Sequence, residues 1–94
     1  FSLYVWELIT IMEQKIKQDI FIPIGQNIRR VRKSRKIGQT ELVRQMQLFG
    51  VDITRETLVK IERGVQHIQA QQLYAIKVLL DTTYDDLLAP EDKQ

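Results

Sequence analysis

The feature that most constrains this chain is the spacing of its punctuating residues. Pro23, Gly38, Gly50 and Gly64 cut its middle into pieces of helical length, and within each piece apolar residues recur at three- and four-residue intervals. Pro23 stops what precedes it and suits a helix start. The expected first helix runs from Ile24 to Arg35, with Ile24, Ile28 and Val31 inward and Arg29, Arg30, Lys33 and Arg35 largely outward. Gly38 marks a tight turn. The second helix is expected from Gln39 to Phe49, with Leu42, Val43 and Met46 inward, and Gly50 is placed to cap its C-terminus because glycine takes the left-handed conformation at little cost. Val51-Asp52-Ile53 connects to a third helix from Arg55 to Arg63. Thr54 is its N-cap, Glu56 sits near its positive end, and Gly64 ends it. Leu58 and Ile61 form its inward face; Arg55, Glu56, Val59, Lys60 and Arg63 form its outward face. A fourth helix is expected from Gln69 to Leu80, with Leu73, Ile76, Val78 and Leu80 facing apolar surroundings. Thr83 then caps a short fifth helix, Tyr84 to Leu88.

This pattern predicts an all-α fold, a single five-helix domain over residues 23–90 with a polar tail over 91–94. A β-sandwich needs more turn residues than the four Gly and two Pro present among 94 residues. A length of 94 residues is expected to hold one domain with one core and no separate sensor domain, and the 44% apolar and 28% charged fractions predict that most of the chain folds. Residues 1–22, FSLYVWELITIMEQKIKQDIFI, form a distinct N-terminal extension. Phe1, Val5, Leu8, Met12 and Ile16 recur at helical spacing, whereas Leu3, Val5, Ile9 and Ile11 fit one face of a strand; the helix is the favoured reading. Met12 suits a natural start, which makes residues 1–11 upstream or trimmed sequence in this reading. No stretch reaches the roughly 18 continuous apolar residues of a membrane span. The N-terminus lacks the basic start of a signal peptide, and Glu7 interrupts its apolar run. A cytoplasmic protein is expected.

Charge is unevenly divided. Residues 1–23 carry −1, residues 24–65 hold ten basic against four acidic groups for +6, and residues 66–94 carry −3. A basic middle between acidic flanks attracts a polyanion, although a solvated helix face would look the same on charge alone. Enzyme chemistry is hard to place. The absence of cysteine removes disulfides, thiolate metal sites and cysteine nucleophiles, and the single His67 cannot build a zinc site without carboxylates. There is no Ser-His-Asp set and no glycine-rich phosphate loop, and Asp85-Asp86 is explained as helix-start charge after Thr83. No catalytic residue, cofactor or metal is expected. Stacking on single strands is disfavoured too, since none of the three Phe, three Tyr and one Trp interleaves with the basic run.

Read together, residues 25–88 resemble the phage lambda-type repressor and Cro domains, the xenobiotic-response-element family. The resemblance rests on Gly25-Gln26-Asn27-Ile28-Arg29-Arg30-Val31-Arg32, Ile37-Gly38-Gln39-Thr40-Glu41-Leu42, Thr54-Arg55-Glu56-Thr57-Leu58-Val59-Lys60-Ile61-Glu62-Arg63-Gly64 and Thr82-Thr83-Tyr84-Asp85-Asp86-Leu87-Leu88. It covers about two thirds of the chain, and Ile61-Glu62-Arg63-Gly64 in register with the upstream Gln-x-Glu-Leu is its most specific part. The resemblance implies a helix-turn-helix domain whose third helix enters the DNA major groove by its N-terminal end. Arg55 would then pair with guanine O6 and N7, Glu56 would accept from cytosine N4 or exclude wrong bases, Thr57 would touch a thymine methyl or a phosphate, and Lys60 would reach a base edge or a phosphate. Phosphate contacts are implied at Gln39, Thr54 and Arg63, and more loosely at Gln69 and Gln71. In isolation the same residues would read as solvated helix positions. Arg32 and Glu62 would form an internal ion pair joining the first helix to the third. His67 is expected on the surface or facing a phosphate.

Two departures stand out. The segment from Met46 to Thr54 is about five residues longer than the compact phage form, which leaves the angle between the second and third helices open, and Gly38 replaces the polar cap usual before Gln39. The expected function is sequence-specific binding of double-stranded DNA, as a repressor acting as a homodimer on a pseudo-palindromic operator. The alternative is a protein-interaction module on the same fold, of the antitoxin or adaptor kind, with the N-terminal apolar segment binding a protein partner. No membrane partner is expected.

Overall fold

The computed structural model describes residues 22–91; the expected N-terminal helix and the reading of Met12 as a start fall on residues outside that span. Five helices follow one another: α1 (Ile24–Ser34), α2 (Gln39–Leu48), α3 (Arg55–Arg63), α4 (Ala70–Leu79) and α5 (Tyr84–Leu87), with no strand among the described residues. No helix among them is long and apolar enough to cross a membrane. The all-α, five-helix expectation therefore holds. Arg35, Phe49, Gln69, Leu80 and Leu88, expected as terminal helical residues, stand as caps one position outside.

The helix ends have local causes. Thr54 Oγ1 accepts from the Thr57 N–H at 3.1 Å, and Thr83 Oγ1 accepts from the Asp86 N–H at 3.1 Å. The Gln69 N–H donates to the Gln72 side chain at 2.8 Å. Gly50 and Gly64 both lie in the left-handed region, at φ 101° and 80°, and each ends a helix as expected. Gly38 does not: its backbone is extended at φ −78°, and the left-handed residue of the α1–α2 turn is Lys36 at φ 62°. The turn comes earlier than the glycine suggests.

The core gathers Ile28 and Val31 of α1, Leu42, Val43 and Met46 of α2, Leu58 and Ile61 of α3, Ala75, Ile76 and Leu80 around α4, and Leu87 of α5. Ile24 and Leu73 are only partly buried against it. Val51 and Ile53, which looked like a bare connector, are buried too, and the Gln47 side chain donates to the Ile53 carbonyl at 2.7 Å. The long α2–α3 segment is thus anchored by its own apolar residues. Val78, expected to face inward, is 40% exposed; the inward stripe of α4 passes through Gln72, Ala75 and Ile76 instead.

α1 packs on α3 and α5, while α2 packs on α3 and α4. At the α1–α3 crossing the backbones meet at Gly25, where a Cβ would lie 2.7 Å from the Glu62 carbonyl oxygen. Asn27 joins α1 to the C-terminal end, its Nδ2 donating to the Leu87 carbonyl at 2.9 Å and the Ala89 carbonyl at 3.0 Å. Arg35 closes α4, donating from Nε to the Leu80 carbonyl at 2.7 Å and from Nη2 to the Asp81 carbonyl at 2.9 Å.

Candidate nucleic-acid interface

α3 has two unlike faces. Leu58, Ile61 and Glu62 are buried, and between them they fix the helix against α1 and α2. The rest of its circumference carries charge. Arg55, Glu56, Lys60 and Arg63 are exposed, with Thr57 and Val59 half-buried between them. Helical spacing places Arg55, Val59 and Arg63 in one row and Glu56, Lys60 and Arg63 in the next, so the long polar side chains share one surface. Val59, expected on the outward face, is partly covered. Lys60 and Arg63 in the last turn, and Glu56 in the first, also match the sign of the helix ends.

The inner face is held by charge as well as by apolar packing. Glu62 receives Arg32 in a bidentate pair, with Nε to Oε2 at 2.7 Å and Nη2 to Oε1 at 2.9 Å, and both side chains are almost wholly buried. The remaining Arg32 Nη1 donates to the Ile37 carbonyl at 2.9 Å. No buried side-chain polar atom among the described residues lacks a partner. The ion pair expected between the first and third helices is present, and it fastens α3 to α1 and to the α1–α2 turn.

Gln39 takes part in this network. Its Nε2 donates to Glu62 Oε1 at 2.9 Å, so the first residue of α2 is tied to α3. The side chain expected to meet a phosphate directly thus begins from a position fixed by the ion pair. Around it lies an open polar cleft of about 560 Å³, walled by Gln26, Arg29 and Arg32 of α1, Gln39 of α2, and Val59, Glu62 and Arg63 of α3, with Glu62 neutralised by Arg32. Arg29 and Arg63 are exposed on it and make no ion pair among the described residues. No side chain caps the N-terminus of α2, which leaves its first N–H groups open beside them.

The expected site residues therefore divide into groups. Gln39 and Arg63 come together at the cleft. Arg55, Glu56 and Lys60 stand along the outer face of the same helix. Thr54 spends its hydroxyl locally: it accepts from the Thr57 N–H and donates to Thr57 Oγ1 at 3.1 Å. Gln69 and Gln71 are exposed at the start of α4, outside the cleft. Sequence reasoning left Arg29 and Gln26 out of the site. Their signal was available, since Gln26, Arg29 and Arg32 follow one another at three-residue spacing and each neighbours the next on the surface of α1. The basic run is also less uniform than its charge suggests, because Arg30 reaches the Asp86 carbonyl at 3.3 Å and Arg35 is occupied at the end of α4.

Compared with known proteins, the chain matches no family model, no curated protein and no solved structure.

Proposed function

We propose that this chain binds double-stranded DNA sequence-specifically, with α3 as the recognition helix, in the manner of the lambda repressor and Cro domains its sequence resembles. The observation that carries this reading is the construction of α3: Arg55, Glu56 and Lys60 exposed on a helix whose opposite face is locked by Leu58, Ile61 and the Arg32–Glu62 pair. A rigid helix with long hydrogen-bonding side chains on one surface is what major-groove readout requires. Arg55 reads guanine, Glu56 selects for cytosine or against other bases, and Lys60 reaches a base edge or a phosphate. Thr57 offers its methyl to thymine.

The cleft supplies the positioning half. Arg29, Arg63, Gln39 and the uncapped start of α2 converge where a backbone phosphate would be held. A domain of this size reads only a few base pairs, so the protein acts as a homodimer on a pseudo-palindromic operator whose half-sites lie about one helical turn apart. Repression by occupancy, in the cytoplasm, is the function this arrangement suits. Selection from a random duplex pool at physiological salt tests the reading. Two related half-sites in the recovered sequences are expected, with affinity falling steeply as salt rises. Bulk, salt-sensitive binding with no enriched motif would overturn it.

A further inference from the structure

The C-terminal end of α2 and the neighbouring face of α4 carry a different kind of surface. Leu48 is 75% exposed, Phe49 43%, Tyr74 51% and Val78 40%. The Phe49 ring, at the C-cap of α2, meets the Tyr74 ring of α4, with centroids 6.2 Å apart and planes tilted by 46°. Val78 lies one turn beyond Tyr74 on α4. Beside them is a shallow depression of about 310 Å³ lined by Gln45, Leu48, Phe49 and Leu79. α2 is ten residues long, so this surface lies roughly 15 Å along the helix from Gln39 and the cationic cleft.

We propose that this patch receives a second copy of the chain, related by a twofold axis. Three observations select that occupant. The first is charge. Gln45, Leu48, Phe49, Tyr74, Val78 and Leu79 carry none, in a chain that is 28% charged, and the neighbouring charges are engaged: Glu41 and Arg44 of α2 pair with one another, and Lys77 of α4 lies over the Tyr84 ring at 5.3 Å. A polyanion or a strongly charged protein finds nothing complementary there, whereas an uncharged patch does not repel its own copy. The second is shape. A twofold contact needs projection and hollow on the same patch, and here the projecting Leu48 and Tyr74 adjoin the depression. The third is area. Each half-exposed aromatic leaves about 100 Å² uncovered, and with Leu48 and Val78 the patch falls within the ~300–600 Å² at which the largest apolar patches of monomers are often functional. Two copies bury at most about 1,000 Å², below the roughly 1,200–2,000 Å² of stable interfaces and in the range of weak, transient ones. The dimer is therefore weak in free solution and is completed on DNA. That last step rests on the DNA-binding reading; the self-contact does not.

Sedimentation velocity of the full chain without DNA, from about 1 µM to about 1 mM, tests the surface. A monomer–dimer equilibrium is expected within that range, and raising the salt leaves it unweakened because the contact is uncharged. Leu48→Glu and Tyr74→Glu each weaken association by about tenfold or more, with the helical circular dichroism unchanged. Val65→Glu, an exposed apolar position on the α3–α4 loop, leaves association as in the wild type. A chain that stays monomeric at the highest concentration would overturn the proposal. So would a Leu48→Glu chain that dimerises like the wild type, or a Val65→Glu chain that alone loses the dimer. A protein that dimerises through this patch yet recovers no DNA motif would sink the DNA reading and leave the surface standing.

Discussion

Glu62→Ala removes the group on which three helices converge. Its carboxylate accepts two buried bonds from Arg32 and one partly buried bond from Gln39. Truncation leaves the Arg32 guanidinium buried with only the Ile37 carbonyl as partner. Breaking a buried pair by removing one side costs roughly 3–5 kcal/mol, because the orphaned charge keeps its desolvation penalty. A domain of about 70 residues holds on the order of 4–10 kcal/mol in total, so the variant loses a third of its stability or more. Urea unfolding followed by helical circular dichroism should show the midpoint falling by roughly 1–5 M. The double variant Arg32→Met, Glu62→Leu is the control that isolates the mechanism. It removes both charges and keeps similar volume, and it is expected to recover most of the loss. A Glu62→Ala chain within about 1 kcal/mol of wild type would refute the argument that an uncompensated buried charge dominates here.

Three further outcomes follow from the same geometry. Gly25→Ala gains about 1 kcal/mol of helix propensity but drives a methyl into the α3 backbone at the Ile61 and Glu62 carbonyls; a net destabilisation of about 1–3 kcal/mol by chemical denaturation is expected, and a stabilised variant would mean the helices part freely. Lys36→Gly relieves a side chain held at φ 62°, and despite the entropy of glycine in the unfolded chain it should raise stability by about 0.5–1 kcal/mol; an unchanged or lower melting temperature would contradict this. Hydrogen bonds from Arg44 and then Gln45 hold the Glu41 carboxyl down from 4.5 to about 2. Its pKa is depressed in the folded state, so the small stabilisation it gives is present above 4.5 and is lost as pH falls toward 2; carbon-detected NMR titration should find that midpoint, and Arg44→Ala should move it back up.

Much of the fold is legible in the chain because its signals are local. Thr54 and Thr83 cap the helices that follow them, and Gly50 and Gly64 end those before them, since each acts within a few residues. The inner face of α4 was harder. Leu79 and Leu80 directly follow Val78, so an unbroken apolar run hides which residue turns outward. The left-handed turn at Lys36 was masked by the nearby Gly38, which is extended. Long-range polar contacts were beyond reach: Asn27 finds its acceptors at Leu87 and Ala89, and Arg35 finds Leu80, with no local pattern to announce either. For the candidate site, the charge of α3 and its capped start can be read from residues 54–64 alone. The Arg32–Glu62 pair was expected only through the family resemblance, and the bond from Gln39 to Glu62 was not anticipated.

In the proposed function the outer face of α3 reads bases while the cleft beside it holds phosphate. The most direct test is the affinity of wild type, Arg55→Ala and Arg63→Ala for a selected duplex and for random duplex, measured side by side at one salt concentration. Loss of a guanine-reading arginine costs roughly 1–3 kcal/mol of discrimination, so Arg55→Ala should lose affinity for the selected duplex and little for the random one, whereas Arg63→Ala should weaken both alike. Equal losses on both duplexes for Arg55→Ala would contradict the account.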